Sequence, residues 1–109
     1  ASKHGWQAAD EPHWADLIPD IGEIAKLDHI HIRGLMTMPP LSTDPEAGRP
    51  YFRRLRSLRD FLAGRVPGAE WEELSMGTSA DFAVAVEEGA TLVRIGQAIL
   101  GPRPNAETE

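Results

Sequence analysis

Two short stretches of this chain combine a glycine, hydroxyl or amide side chains and a helix start in a way that suits an anion. The first is Leu74-Ser75-Met76-Gly77-Thr78-Ser79-Ala80-Asp81-Phe82. The second is Val93-Arg94-Ile95-Gly96-Gln97-Ala98-Ile99-Leu100-Gly101. Each reads as a short strand that enters a tight Gly-containing turn and then a helix. Such turns present backbone N–H groups, and the start of a helix adds a dipole that favours negative charge. Ser79 would bring its hydroxyl and N–H to the first helix start, with Thr78 N–H beside it. Gly96 lacks a Cβ, so its backbone and that of Gln97 can come close to a ligand. One helix joins the two turns, which suggests a single phosphate gripped from both sides. Taken alone, Ser79 is more simply an N-cap serine. Gly96 is as readily a turn glycine, and Arg94 an ion-paired arginine at a strand end.

Other chemistry is poorly supported. His29 and His31 stand two apart on an expected strand and would share a face, but a third metal ligand is not apparent. No Ser-His-Asp order and no carboxylate pair at strand ends stands out. Arg53, Arg54, Arg56 and Arg59 resemble a nucleic-acid stripe only in isolation. Acidic residues outnumber basic ones 17 to 11 and the net charge is −6, so a solvated helix face is the better reading and nucleic acid or anionic membranes are poor partners. The chain has no cysteine, which excludes disulfides and fits a cytoplasmic setting. No apolar run is long enough for a bilayer.

The elements that must position the two turns follow from periodicity. Asp10-Glu11-Pro12 signals a helix start, with Asp10 as N-cap. Trp14, Leu17, Ile18, Ile21, Ile24 and Ala25 recur at helical spacing, and Pro19 predicts a kink or two short helices near Ile18. Ile30 to Thr37 reads as a strand ended by Pro39-Pro40. Leu41 to Pro50 reads as a loop. A helix over about Tyr51 to Ala63 buries Phe52, Leu55, Leu58, Phe61 and Leu62, and Gly64 to Gly68 breaks it. Trp71 to Ser75 is a strand. A helix capped by Ser79 runs to about Glu88 with Phe82, Ala85 and Val86 inward, and Gly89 stops it. Thr91 to Ile95 is the last strand, and Pro102 to Glu109 a polar tail. The order α-β-α-β-α-β implies parallel strands joined by right-handed crossovers. Three such strands cannot close a barrel that needs eight, so the expectation is part of a larger assembly.

Four motifs in order carry a resemblance: Ser2-Lys3-His4-Gly5, Arg33-Gly34-Leu35-Met36, Ser75-Met76-Gly77-Thr78-Ser79-Ala80-Asp81 and Val93-Arg94-Ile95-Gly96. From Ser2 to about Gly101 the chain resembles the YggS/PROSC-type pyridoxal phosphate homeostasis proteins, which share the barrel of the alanine racemase N-terminal domain. Thr78 stands where that family usually has Met, and Gln97 where Thr or Ser is common. The resemblance implies an α/β fold, the C-terminal half of a (β/α)8 TIM-like barrel over residues 1–101. It implies pyridoxal 5′-phosphate (PLP) as cofactor, whose phosphate commonly lies after the last two strands of such barrels. Ser79, Thr78, Gly96 and Gln97 would hold the phosphate, Arg94 would donate to the pyridine nitrogen, and Ser75 and Met36, each ending a strand, would line the pocket, although core packing is the stronger reading of Met36. A protonated arginine there would leave that nitrogen without a proton and weaken the ring as an electron sink, which fits a non-catalytic carrier. The Schiff-base lysine would lie in an N-terminal half, the expected partner; neither Lys3 nor Lys26 ends a strand. The rivals are a racemase of the alanine racemase type, which would need a second domain, and a cofactor-free half-barrel that binds a protein partner.

Overall fold

A computed structural model describes residues 11–40 and 42–101. The Asp10 cap, the Ser2-Lys3-His4-Gly5 motif and the tail lie outside them. The chain enters as a 3-10 helix over Glu11–Leu17 and widens into α1, Ile18–Ala25. The change falls where Pro19 was expected to interrupt the helix, because proline suits the first turn and not the interior.

The first strand, β1, is only Gly34–Met36. His29 holds a left-handed backbone, φ 69°, and belongs to the turn after α1. Ile32 and Arg33 instead accept single hydrogen bonds from Glu70 and Glu73 N–H. The expected His29/His31 pair on one strand face is therefore not formed: one residue is in a turn and the other precedes the strand. Among the described residues no three His, Cys, Asp or Glu side chains gather as a metal set.

The expected loop at 41–50 holds a 3-10 turn, Pro45–Gly48, started by Asp44, whose side chain accepts from Glu46 N–H. Helix α2, Arg49–Ala63, follows directly and begins two residues before Tyr51. Phe52, Leu58 and Leu62 are its buried side chains, as its periodicity predicts.

Strand β2 is Glu73–Thr78, three residues longer at its end than expected. The Met76-Gly77-Thr78 segment is strand and not turn. Gly77 has φ 105°, and the β2–β3 register shifts between Ser75 and Thr78. A methyl group at Gly77 would lie 2.7 Å from Ala85 Cβ, so α3 sits directly on this glycine. Helix α3 is Phe82–Glu87. Because Ala85 is seated over Gly77, Val84 and Ala85 are buried while Phe82 and Val86 are exposed, at 40% and 55%. The expected inward roles of Phe82 and Val86 are corrected accordingly. Gly89, also at φ 105°, ends the helix as anticipated. Strand β3 is Leu92–Arg94 and α4 is Gln97–Leu100.

The sheet order is β1-β2-β3, all parallel. Its helix-facing side holds two cores. In one, Trp14, Leu17 and Ile21 pack on Leu58, Leu62, Val66 and Trp71. In the other, Phe52 packs with Leu74, Met76, Val84 and Ala85. Leu35 touches both. Trp71 satisfies its indole N–H on Val66 O at 3.0 Å. Arg59, expected on the solvated face, is half-buried and donates to Trp71 O at 3.2 Å.

A charged clamp joins the start of α2 to the end of α3. Arg49 donates to Glu46 at 2.7 and 2.9 Å, to Glu87 at 2.7 Å and to Glu88 at 2.6 Å. Arg53 lies 3.1 Å from the same Glu88 carboxylate. Hydrogen bonds from Arg49 hold the Glu46 and Glu88 carboxyls below their ordinary range, and Glu46, Glu87 and Glu88 raise the Arg49 guanidinium in turn.

Candidate functional site at the ends of the strands

The face of the sheet turned away from the helices is open. Alternation along the strands puts Gly34 and Met36 of β1, Glu73 and Ser75 of β2 and Leu92 of β3 on it, and they line a groove of about 340 Å³. Register sets Met36 beside Ser75 and Ser75 beside Leu92. Met36 and Leu92 are 56% and 51% exposed, so this apolar surface has no covering layer within the described residues.

Arg94 reaches one lining residue of the groove, Ser75. Its Nη1 donates to Ser75 Oγ at 2.6 Å and its Nη2 to Thr37 O at 2.8 Å. Thr37 N–H in turn donates to Ser75 O at 3.2 Å. The residue after β1, the middle of β2 and the end of β3 are thus tied through one guanidinium. Among the described residues both partners are neutral oxygens, and Arg94 is not one half of a strand-end ion pair there.

The two turns lie beside Arg94, since Thr78 of β2 pairs with Arg94 of β3. Ser79 is half-buried in the turn before α3 and is not its N-cap. That position belongs to Asp81, whose side chain turns back: Oδ1 accepts from Thr78 N–H at 2.8 Å and Thr78 Oγ1 at 3.3 Å. The Thr78 N–H, expected to face a phosphate, is therefore used within the turn. On the other side Gly96 is the N-cap of α4, with φ −121°. A methyl group at Gly96 would meet nothing within 4 Å. Neither backbone conformation nor packing within the chain requires glycine there, whereas both require it at Gly77.

Sequence reasoning brought Met36, Thr78, Ser79, Arg94, Gly96 and Gln97 to the same end of one sheet, and the structure places them there; Ser75, expected to end its strand, instead lies mid-way along β2 because the strand runs on to Thr78. It missed Asp81 and the Thr37 carbonyl. The Thr-x-x-Asp spacing was a legible signal for the first; a main-chain acceptor leaves none for the second.

A cation is fixed at the carboxyl ends of parallel strands, and two turns that open helices stand beside it, the address at which open α/β sheets and barrels bind phosphate. Residues 10–104 match the family model for the alanine racemase N-terminal domain. The chain belongs to this family. Among its relatives is a pyridoxal phosphate homeostasis protein of Aquifex aeolicus, 53% identical over 78 residues, covering 72% of this chain and 34% of that protein. The one from Vibrio alginolyticus is 39% identical over 103 residues, 94% of this chain and 41% of that protein. PipY of Synechococcus elongatus, solved with PLP bound, superposes with a TM-score of 0.77 at 33% identity, covering 93% of this chain and 45% of PipY. The YggS/PROSC-type resemblance and the partial-barrel fold stand on these matches. The chain spans between a third and a half of the length of these three relatives. Among the described residues no helix is long and apolar enough to cross a membrane.

Proposed function

We propose that this chain supplies the phosphate and pyridine-nitrogen contacts of a PLP-binding barrel that carries and buffers the cofactor in vitamin B6 homeostasis. The observation that carries this reading is Arg94 at the end of β3, anchored on Ser75 and Thr37 and register-paired with the residue that opens the first turn. The relatives' shared name and the PLP-bound PipY support it.

Each residue has a task. Ser79 and the turn N–H groups beside it bind phosphate from one side. Gly96 and Gln97 bind it from the other, where open space lets the ligand reach the backbone. Arg94 stays protonated near neutrality and can only donate, so a pyridine nitrogen facing it accepts and carries no proton. Met36 and Ser75 line the adjoining wall. Bound PLP supplies an electron-poor aldehyde-bearing ring; Arg94 tempers that ring as an electron sink, which suits a carrier better than a racemase. The N-terminal half of the same barrel, with the lysine that holds the cofactor, would cover Met36 and Leu92 and supply the missing strands. A cytoplasmic location suits a cysteine-free chain.

The test is a titration with PLP of the purified barrel, this chain together with its lysine-bearing half, followed by absorbance, beside a titration with pyridoxal. Saturable binding of PLP, much tighter than that of pyridoxal, is expected. Equal affinities would remove the phosphate contacts, and no binding would remove the cofactor reading altogether.

A further inference from the structure

Glu73 opens β2 and is the one acidic residue lining the groove on the uncovered face of the sheet. It is half-buried, and among the described residues its carboxylate makes no hydrogen bond and no ion pair. Its register neighbour on β1 is Gly34, where an added methyl group would collide with the Glu73 carbonyl. Close strand pairing thus excludes any side chain beside the carboxylate on that strand. Further along the same face stand Met36 and Leu92, both more than half exposed. Arg33 also lines the groove, but it is exposed and makes no ion pair with Glu73. The face is therefore apolar with one unmatched carboxylate at its edge.

Parallel sheets occur with both faces covered, so this face calls for a further layer. PipY, which matches 93% of this chain, has more than half of its length outside the match. In a barrel the remaining strands close over this face. A carboxylate taken out of water under that layer is costly unless a positive group meets it. We propose that the N-terminal half of the barrel is apolar where it covers Met36 and Leu92 and brings one lysine or arginine side chain to Glu73. That side chain enters beside Gly34, where β1 presents nothing to obstruct it. A single charge pair in an apolar layer also fixes how the two halves seat, because any other register leaves both charges buried and alone. This inference rests on the barrel reading above and on none of the phosphate contacts.

The test is urea unfolding, at neutral pH, of the barrel made by this chain together with its lysine-bearing half. Wild type is compared with Glu73→Leu, Glu73→Gln, Arg33→Gln and the double variant that carries both glutamines. Glu73→Leu leaves the incoming cation buried without a partner and should lower the midpoint by about 1–2 M. Glu73→Gln keeps the size and an acceptor but not the charge, and should lower it as well. Arg33→Gln should lose less than Glu73→Gln, and the two losses should add in the double variant. A Glu73→Leu midpoint at or above that of wild type overturns the proposal, since apolar cover without a cation would favour leucine. A Glu73→Gln midpoint equal to wild type also overturns it, because a neutral donor would then suffice. Losses at Arg33 and Glu73 that match and do not add overturn it too, by placing the cation within this chain. PLP bound no more tightly than pyridoxal by the wild-type barrel would remove the phosphate reading and leave this inference standing.

Discussion

Arg94 Nη2 donates to the main-chain carbonyl of Thr37 at 2.8 Å, a contact between residues 57 positions apart. Thr37 directly follows β1 and Arg94 ends β3, so the side chain crosses beneath β2 and collects Ser75 on the way. The charge is held by oxygens that remain neutral at any pH, and the guanidinium has more donors than these two acceptors use. Arg94→Ala should cost about 1–3 kcal/mol of stability, the range for hydrogen bonds to a charged group, read from urea unfolding. It should also shift the absorption spectrum of bound PLP. A spectrum and an affinity equal to wild type would remove Arg94 from the ring-nitrogen role.

Gly77 is where fold and site meet. Its backbone at φ 105° is one that side-chain-bearing residues rarely adopt. Ala85 Cβ would lie 2.7 Å from any added methyl. Gly77→Ala must therefore strain the strand and lift α3 from it, and with α3 the turn that precedes it. A loss of about 2–4 kcal/mol is expected, strain and overpacking together. A urea midpoint close to that of wild type would mean that α3 is free to shift.

The clamp at Arg49 gives the protein an acid limb. The Glu88 and Glu46 carboxyls titrate below their usual value of 4.5 because Arg49 hydrogen-bonds their charged forms. Groups depressed in the folded state contribute stability that is present above the unfolded value and is lost as pH falls through the folded one. Melting temperature should hold from neutral pH to about 5 and fall steadily below the carboxylate range. Glu88→Gln should lower it at neutral pH and flatten that fall. Parallel curves for the two proteins would mean that Glu88 contributes nothing to the acid limb.

How much of this could be read in the residues depends on range. The buried face of α2 and the stop at Gly89 are local patterns, and both are in place. The parallel order and the meeting of both turns follow from alternation of strand and helix, a rule of connectivity. The errors arose where a tertiary contact overrode a local signal. Ser79 has the composition of an N-cap, but Asp81 takes the carboxyl-to-amide bond that defines the turn, and the helix starts later. Phe82 and Val86 are apolar enough to face inward, but the seat of Ala85 on Gly77 sets the helix phase and turns them out. His29 continues an apparent strand in sequence and yet sits in a left-handed turn. The Thr37 acceptor is invisible to residue-type reasoning because every residue has a carbonyl.

Gly96 separates what the fold needs from what a ligand needs. With φ −121° and nothing within 4 Å of an added methyl, Gly96→Ala should fold as wild type does. Glycine to alanine at an N-cap costs only about 1 kcal/mol at most. If the phosphate approaches this backbone, the methyl group occupies the space that the ligand requires, and PLP affinity should fall at least tenfold, about 1.4 kcal/mol. Binding of PLP by titration and melting temperature should therefore dissociate in this variant: affinity lost, stability kept. An alanine variant that binds PLP as wild type does would place the phosphate away from the second turn and leave Ser79 and its neighbours as the anion site alone.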